Sequence, residues 1–136
     1  MAAKTYNLNF IGYKWEKDLP QEAGVYLTYT VKYNSNTNEY NIDKLVYIGE
    51  SQDIKGRQVE HLADGDYPKD AVLAYAYALL SGGEDHRKRC EAALIFKVKP
   101  EWNTANKQSF DYDSTTVISS GDHYDIPTEL IVSRSI

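Results

Sequence analysis

Apolar and polar residues alternate from position 25 to position 33, and this period of two is typical of a half-buried β-strand. An asparagine-rich polar loop follows at 34–39, and a second apolar run at 45–48 ends at Gly49. Two such runs joined by a turn-rich loop predict an antiparallel hairpin. In that hairpin the odd-numbered residues of the first strand share one face, and Tyr26 lies on the other.

Three helices are predicted after the hairpin. The first begins with Ser51 as its N-cap and ends near Leu62. The second covers residues 69–80, which are rich in Ala, Leu and Tyr and stop before two consecutive glycines. The third covers residues 84–98, because Pro100 prevents continuation.

The two ends of the chain are expected to add to this unit. Residues 115–119 and 129–133 could form short strands, and the N-terminal segment is expected to pack as an extra element. The central order β-β-α-α-α predicts a small mixed α/β (α+β) domain with an antiparallel sheet. A length of 136 residues fits one such domain.

Composition narrows the class of protein. One cysteine excludes an internal disulfide and a multi-cysteine zinc site. No apolar run approaches the roughly 20 residues of a membrane span, and no secretion signal is recognisable, so a cytoplasmic or nucleoid-associated protein with no membrane partner is expected. The net charge of −5 argues against a nonspecific nucleic-acid coat. Residues 44–107, however, carry ten basic and ten acidic side chains, so a local phosphate-binding surface is compatible with them.

A few polar residues in the middle of the chain could carry chemistry. Arg57 and His61 are four residues apart, so on a helix they project from the same face, and this face can be directed toward Tyr47. The three side chains together could bind a phosphate group and move a proton. Glu91 lies among apolar residues and could hold Mg²⁺. Each also has a structural explanation: exposed helix charges, a tyrosine at a strand edge, or an Arg87–Glu91 pair one helical turn apart.

The order and spacing of these residues favour the chemical interpretation. Arg57 falls eight residues after Gly49 and four before His61, and Glu91 opens a stretch that leads through a proline to Asn103. Together with the two tyrosine signatures, this order over residues 19–106 resembles the GIY-YIG nuclease family. The signatures and their lead-in are Leu19-Pro20, Gly24-Val25-Tyr26 and Tyr47-Ile48-Gly49.

The resemblance implies a three-stranded antiparallel sheet with surrounding helices and an endonuclease site that hydrolyses DNA phosphodiester bonds with one Mg²⁺ or Mn²⁺. Glu91 would bind the cation, and Arg57 would stabilise the scissile phosphate. Tyr26 or Tyr47 would be the general base or orient the water, with a pKa lowered by the cation and Arg57, and His61 would accept or relay the proton. Gly24, Gly49 and Asn103 would support the site. Residues 1–18 would be an N-terminal extension packed on the core, and 107–136 an acidic C-terminal extension.

The contacts with DNA are less specific. Lys55, Arg87, Lys88 and Arg89 are candidate phosphate contacts, although the last three could equally form a solvated helix face. Target choice would come from the extensions, from a homodimer or from a partner protein. Glu50 stands where the family often has Lys, and a carboxylate there repels phosphate unless it binds metal or points away. The alternative is therefore a catalytically weak or inactive module of the GIY-YIG fold that binds DNA or protein.

Overall fold

The computed structural model describes residues 2–134, which form one six-stranded sheet, two α-helices and a 3-10 helix at Glu16–Asp18. The strand order is β3-β2-β4-β1-β5-β6. The elements are β1 (Lys4–Lys14), β2 (Gly24–Asn34), β3 (Glu39–Ser51), α1 (Ile54–Asp64), β4 (Leu73–Leu79), α2 (Glu84–Val98), β5 (Thr115–Gly121) and β6 (Glu129–Val132).

The sheet has two halves joined by β1. Strands β3, β2 and β4 are antiparallel, and the end of β1, from Ile11 to Lys14, pairs antiparallel with β4. The beginning of β1, from Lys4 to Phe10, pairs in parallel with β5, which pairs antiparallel with β6. The expected mixed class is confirmed. The expected count of three strands is not, because both ends of the chain add strands to the same sheet.

The predicted hairpin is confirmed, with Tyr26 opposite Gly49 and Leu27 opposite Ile48. The first strand matches the predicted run to within one residue at each end, whereas the second begins six residues before its apolar run. The residues at the beginning of the second strand are mostly exposed, yet they pair across the hairpin, as Asn41 does with Lys32. Hydrophobic alternation does not reveal such ends, because neither face of the strand is buried there.

The helix predicted over residues 69–80 is wrong, since this segment contains β4. Alanine and leucine favour a helix in isolation, but β4 lies between β2 and β1, and pairing with both overrides that propensity. The strand comes so close to β2 that a Cβ at Gly24 would lie 2.2 Å from the carbonyl oxygen of Ala78. Glycine at position 24 is therefore required by the packing of the strands.

Helix α1 begins two residues later than predicted. Asp53, not Ser51, is its N-cap, and the Asp53 side chain accepts a hydrogen bond of 3.0 Å from the amide of Gly56. Gly56 leaves room for this cap, because a Cβ there would lie 2.4 Å from the Asp53 carboxylate. Helix α2 has the predicted bounds.

The two helices cover opposite faces of the sheet. The face that we call the α2 face holds a large apolar core, with Val25, Leu27 and Tyr29 from β2 packed with Leu94 of α2. The opposite face, which we call the α1 face, holds a smaller cluster: Leu19, Tyr26, Ile54 and Tyr75. Tyr26 therefore lies opposite the odd-numbered residues of β2, as predicted.

Candidate active site

The Tyr26 hydroxyl lies at the centre of the α1 face. It is 2.9 Å from Nε2 of His61, and both side chains are almost completely buried. Gly49, directly across the hairpin, makes this path possible, because a Cβ there would lie 2.3 Å from the Tyr26 hydroxyl oxygen. The second signature glycine therefore admits the first signature tyrosine to its histidine partner.

Asp66 holds the other side of the His61 ring, with a carboxylate oxygen 2.9 Å from Nδ1. Gly65 ends α1 in the left-handed conformation, at a φ of 70°, and so turns the chain back toward the helix. The amide of Asp66 then donates to the carbonyl of His61 at 3.0 Å. Sequence reasoning missed Asp66. Its signal is the order His, three residues, Gly, Asp, in which the glycine permits the turn.

Burial determines the protonation states of His61 and Tyr26. Desolvation lowers the pKa of His61 more than the hydrogen bond to Asp66 raises it, so the imidazole is neutral at pH 7. Desolvation also raises the pKa of Tyr26 above its ordinary value, and Arg57 only partly offsets the increase. The charge of Arg57 alone therefore does not bring the pKa of Tyr26 below its ordinary value, as the resemblance would require.

Tyr47 completes the polar cluster and, unlike Tyr26, is partly exposed. Its ring contacts that of His61 edge-on, with centroids 5.3 Å apart. Tyr67 stacks on His61 at 4.8 Å and also contacts Tyr47, with centroids 5.8 Å apart. Burial raises the Tyr47 pKa, the negative charge of Glu91 raises it further, and Arg57 lowers it. Tyr47 is therefore the signature tyrosine that is in reach of solvent and close to the carboxylate.

Glu91 approaches the cluster from α2. Because β3 is the edge strand of the sheet, residues from the two faces can meet around it. Burial raises the pKa of Glu91 to about 7, and the neighbouring charge of Glu50 adds to this. A hydrogen bond from the Glu50 backbone and the charges of Lys88 and Arg57 oppose the increase. Glu91 is thus within electrostatic range of Arg57 of α1 and of Tyr47 of β3.

Asn103 fixes the strand that carries Tyr47 and Gly49. Its side-chain amide donates to the carbonyl of Ile48, and its side-chain oxygen accepts from the Ile48 amide, both at 2.9 Å. The backbone of the neighbouring Trp102 also donates to the carbonyl of Val46 at 2.9 Å. Asn103 thus satisfies the backbone hydrogen-bonding groups of Ile48 on the edge strand and supports the position of Tyr47.

A cleft of about 300 Å³ opens beside these residues. Arg57 lines it, and its guanidinium lies 3.1 Å from Glu60. The side chains of this pair are 35% and 65% exposed, respectively. Glu50 and Arg87 also line it, and they form a shielded ion pair of 2.9 Å. The Glu50 carboxylate is thus compensated by a guanidinium, a partner that the sequence did not predict. The whole lining is Glu50, Ser51, Gln52, Arg57, Glu84 and Arg87.

The four candidate DNA contacts differ in position. Lys55 and Lys88 are accessible, although Lys88 pairs with Glu84 at 2.9 Å and Lys55 donates to a backbone carbonyl. Arg87 is bound to Glu50. Arg89 is only 1% exposed, so the structure contradicts its predicted phosphate contact. Its guanidinium instead ties α2 to the start of β5 through backbone carbonyls and the Thr115 hydroxyl.

A divalent cation would be held here through a single carboxylate. Within residues 2–134, no group of three or more His, Cys, Asp or Glu side chains could hold a metal ion together. Glu91 is partly buried and belongs to none of the ion pairs formed by these residues. Mg²⁺ is often bound through one or two carboxylates, with water and substrate phosphate completing its shell. A site that uses Glu91 in this way is compatible with the residues present.

Comparisons with protein-family models, curated proteins and solved structures gave no match to this chain. In the part of the chain that the structure describes, no helix has the length and apolar character needed to cross a membrane.

Proposed function

We propose that this protein is a metal-dependent DNA endonuclease with an active site of the GIY-YIG type. The observation that carries the proposal is the convergence of five residues chosen from the sequence by order and spacing. Tyr26, Tyr47, Arg57, His61 and Glu91 come from two strands and two helices, and they interact with one another around one edge of the sheet.

Arg57 would act on the phosphate. It is the member of the cluster whose cation reaches the cleft, and its pairing with the exposed Glu60 can be exchanged for a phosphate at little cost. A guanidinium binds two phosphate oxygens at once and stabilises the charge that develops as the bond breaks.

Glu91 would hold Mg²⁺ or Mn²⁺, which when bound supplies Lewis-acid chemistry at the phosphate and acidifies bound water. The raised pKa of about 7 means that the surrounding groups only partly compensate the carboxylate charge at higher pH, and a cation would reduce that penalty. Tyr47, close to Glu91 and partly exposed, would orient the attacking water. Tyr26 and His61 are more deeply buried than Tyr47 and would accept or relay a proton.

A binding module without turnover is the second candidate. It is favoured by the ion pairs at the cleft, because Glu60 and Glu50 compensate the two guanidinium groups that line it. Such a module would use the same cleft but would leave the phosphodiester bond intact.

Supercoiled plasmid incubated at low salt with Mg²⁺, Mn²⁺ or EDTA separates the two. We expect nicking or linearisation that requires the cation and that falls in Arg57→Ala but not in Lys97→Ala, which removes an exposed cation from α2. DNA binding without cleavage by the folded wild-type protein would favour the binding module. Cleavage that persists unchanged in EDTA would contradict a metal-dependent site.

A further inference from the structure

We infer that Asp66 is a positioning residue, which holds His61 in the tautomer whose Nε2 can accept the proton of the Tyr26 hydroxyl. The inference deepens the proposed function and rests on it for its catalytic meaning. The arrangement is a line of three groups, in which Asp66 bonds Nδ1 of His61 and Tyr26 bonds Nε2, each at 2.9 Å.

The direction of both hydrogen bonds follows from the carboxylate. An ionised carboxylate can only accept, so Nδ1 of His61 carries the hydrogen and donates it to Asp66. In a neutral imidazole the other nitrogen then has a lone pair and no hydrogen. The Tyr26 hydroxyl must therefore donate to Nε2. Without the carboxylate, the ring could carry its hydrogen on Nε2 and donate to Tyr26 instead.

The direction decides what His61 can do. A proton that leaves the Tyr26 hydroxyl can pass to Nε2 only if that nitrogen is free, and the transfer produces a phenolate and an imidazolium. The Asp66 carboxylate then lies next to the new positive charge and stabilises it. In the opposite tautomer Nε2 is already occupied, and the transfer has no acceptor.

The turn that carries Asp66 does not depend on its side chain. Gly65 supplies the left-handed conformation, and the backbone amide of Asp66 donates to the carbonyl of His61. The Asp66 side chain is itself 44% exposed, whereas that of His61 is 3% exposed. Replacing the Asp66 side chain should thus change the partner of His61 while the chain keeps its path.

Other polar groups around His61 cannot replace this carboxylate. Arg57 and Glu60 lie on the same helix, and their charges act on His61 with opposite signs. Tyr26 and Tyr47 face it from the strands, and Tyr67 stacks on its ring. Among the described residues Asp66 alone accepts from Nδ1.

Nitrogen NMR of the ¹⁵N-labelled full chain tests the tautomer directly and needs no activity. His61 is assigned by the signal lost in His61→Gln, because the chain also contains two other histidines, His86 and His123. At pH 7 we expect Nδ1 protonated and Nε2 unprotonated in the wild type. In Asp66→Ala we expect a large fraction of Nε2-protonated ring. Asp64→Ala, which removes an exposed carboxylate two residues earlier, should leave the spectrum unchanged.

Two NMR results would overturn the inference: a wild-type His61 protonated on Nε2, or an Asp66→Ala protein that keeps the folded spectrum and the wild-type tautomer. The Asp66→Asn protein provides a check on folding, because it preserves the volume of the side chain without its charge.

Cleavage assays then test the catalytic meaning. In Asp66→Ala we expect plasmid cleavage at pH 7 to fall at least about tenfold, with a changed pH profile on the acid side, and Asp64→Ala to cleave like the wild type. Unchanged rate and profile in a folded Asp66→Ala protein would overturn the positioning role. Absence of cleavage in the wild type would instead refute the proposed function, and the tautomer assignment would still be decided by NMR.

Discussion

The α2 face and the α1 face of the sheet are built from different kinds of residue. On the α2 face Val25, Leu27 and Leu94 are completely buried and interact only by packing. On the α1 face Tyr26 and His61 are as deeply buried, but each buried polar atom needs a partner of defined geometry. Apolar packing tolerates many sequences, whereas a buried hydrogen-bonded row of side chains requires particular ones. The α2 face therefore contributes mainly to stability, whereas the α1 face carries the polar residues of the proposed site.

Leu27→Ala should produce the largest effect on folding. The side chain is 0% exposed on the α2 face, so its truncation should lower the free energy of unfolding by about 2–5 kcal/mol. Urea denaturation measures the change. Cleavage per folded molecule should remain near the wild-type rate, and a specific loss of cleavage would break the division between the faces. Leu62→Ala, at a side chain that is 54% exposed, is the control and should change stability by only about 0.5 kcal/mol or less.

Arg57→Ala should show the converse. Its ion pair with Glu60 is largely solvated and contributes little to stability, so the melting temperature should stay close to that of the wild type. Loss of one charged donor to the phosphate should slow cleavage by about 100- to 1000-fold. Initial rates of plasmid nicking measure this, and a rate within threefold of the wild type, on the order of experimental scatter, would remove Arg57 from the chemistry.

Glu91→Gln should change the pH dependence of stability in EDTA. The Glu91 pKa is about 7 in the folded state against 4.5 for an unperturbed group, so the folded state binds the proton more tightly. That stabilisation is present at low pH and is lost as the pH rises through 7. The variant should therefore be more stable than the wild type at pH 8, by about 1–3 kcal/mol, with a smaller difference near pH 5.

Urea titrations of both proteins at pH 5 and pH 8 make this measurement. His61 acts in the opposite direction, because its lowered pKa removes stability as the pH falls below its unfolded value. It is present in both proteins, so its contribution cancels in the difference. Equal differences at the two pH values would contradict a buried Glu91 whose charge is only partly compensated.

Glu50→Gln should have the smallest effect of the four substitutions, and it should change both stability and DNA binding. Glu50 lies on β3, where residues from the two faces meet. Loss of the charge on one partner of a shielded pair should cost about 1–2 kcal/mol of stability. Arg87 would then be available for phosphate, so DNA affinity should rise and its salt dependence should steepen by about one phosphate contact. Fluorescence anisotropy at several salt concentrations tests this. The control Glu101→Gln removes an exposed charge that does not line the cleft, and it should leave stability and DNA binding almost unchanged. Unaltered DNA binding by Glu50→Gln would show that Arg87 does not face the substrate.

The predictability of the fold also differs between regions. The hairpin and α2 follow from local patterns, namely the alternation that ends at Tyr33 and the proline after Val98. Strand β4 does not, because Ala74, Ala76 and Ala78 suit a helix until the neighbouring strands supply pairing partners. The six-stranded sheet was out of reach for the same reason, since its parallel contact joins residues more than a hundred positions apart.

The residues of the proposed site could be selected from the sequence, but the contacts between them could not be predicted. Spacing selected Tyr26, His61 and Glu91, but it could not show that Gly49 clears the path between the first two. Asp66 escaped notice because its role depends on the left-handed turn after α1. Glu50 could be identified as a departure from the family pattern, although its compensation by Arg87 required the packing of α2 against β3.

The most direct test of the central claim compares cleavage by the wild type, Glu91→Gln and Glu101→Gln during a titration with Mn²⁺. Glu101 is an exposed glutamate just after α2, so its variant has the same change of charge outside the site. We expect the wild type and Glu101→Gln to cleave supercoiled plasmid with the same dependence on Mn²⁺, whereas folded Glu91→Gln should not cleave at any concentration. Wild-type cleavage that survives intact in Glu91→Gln would contradict this expectation.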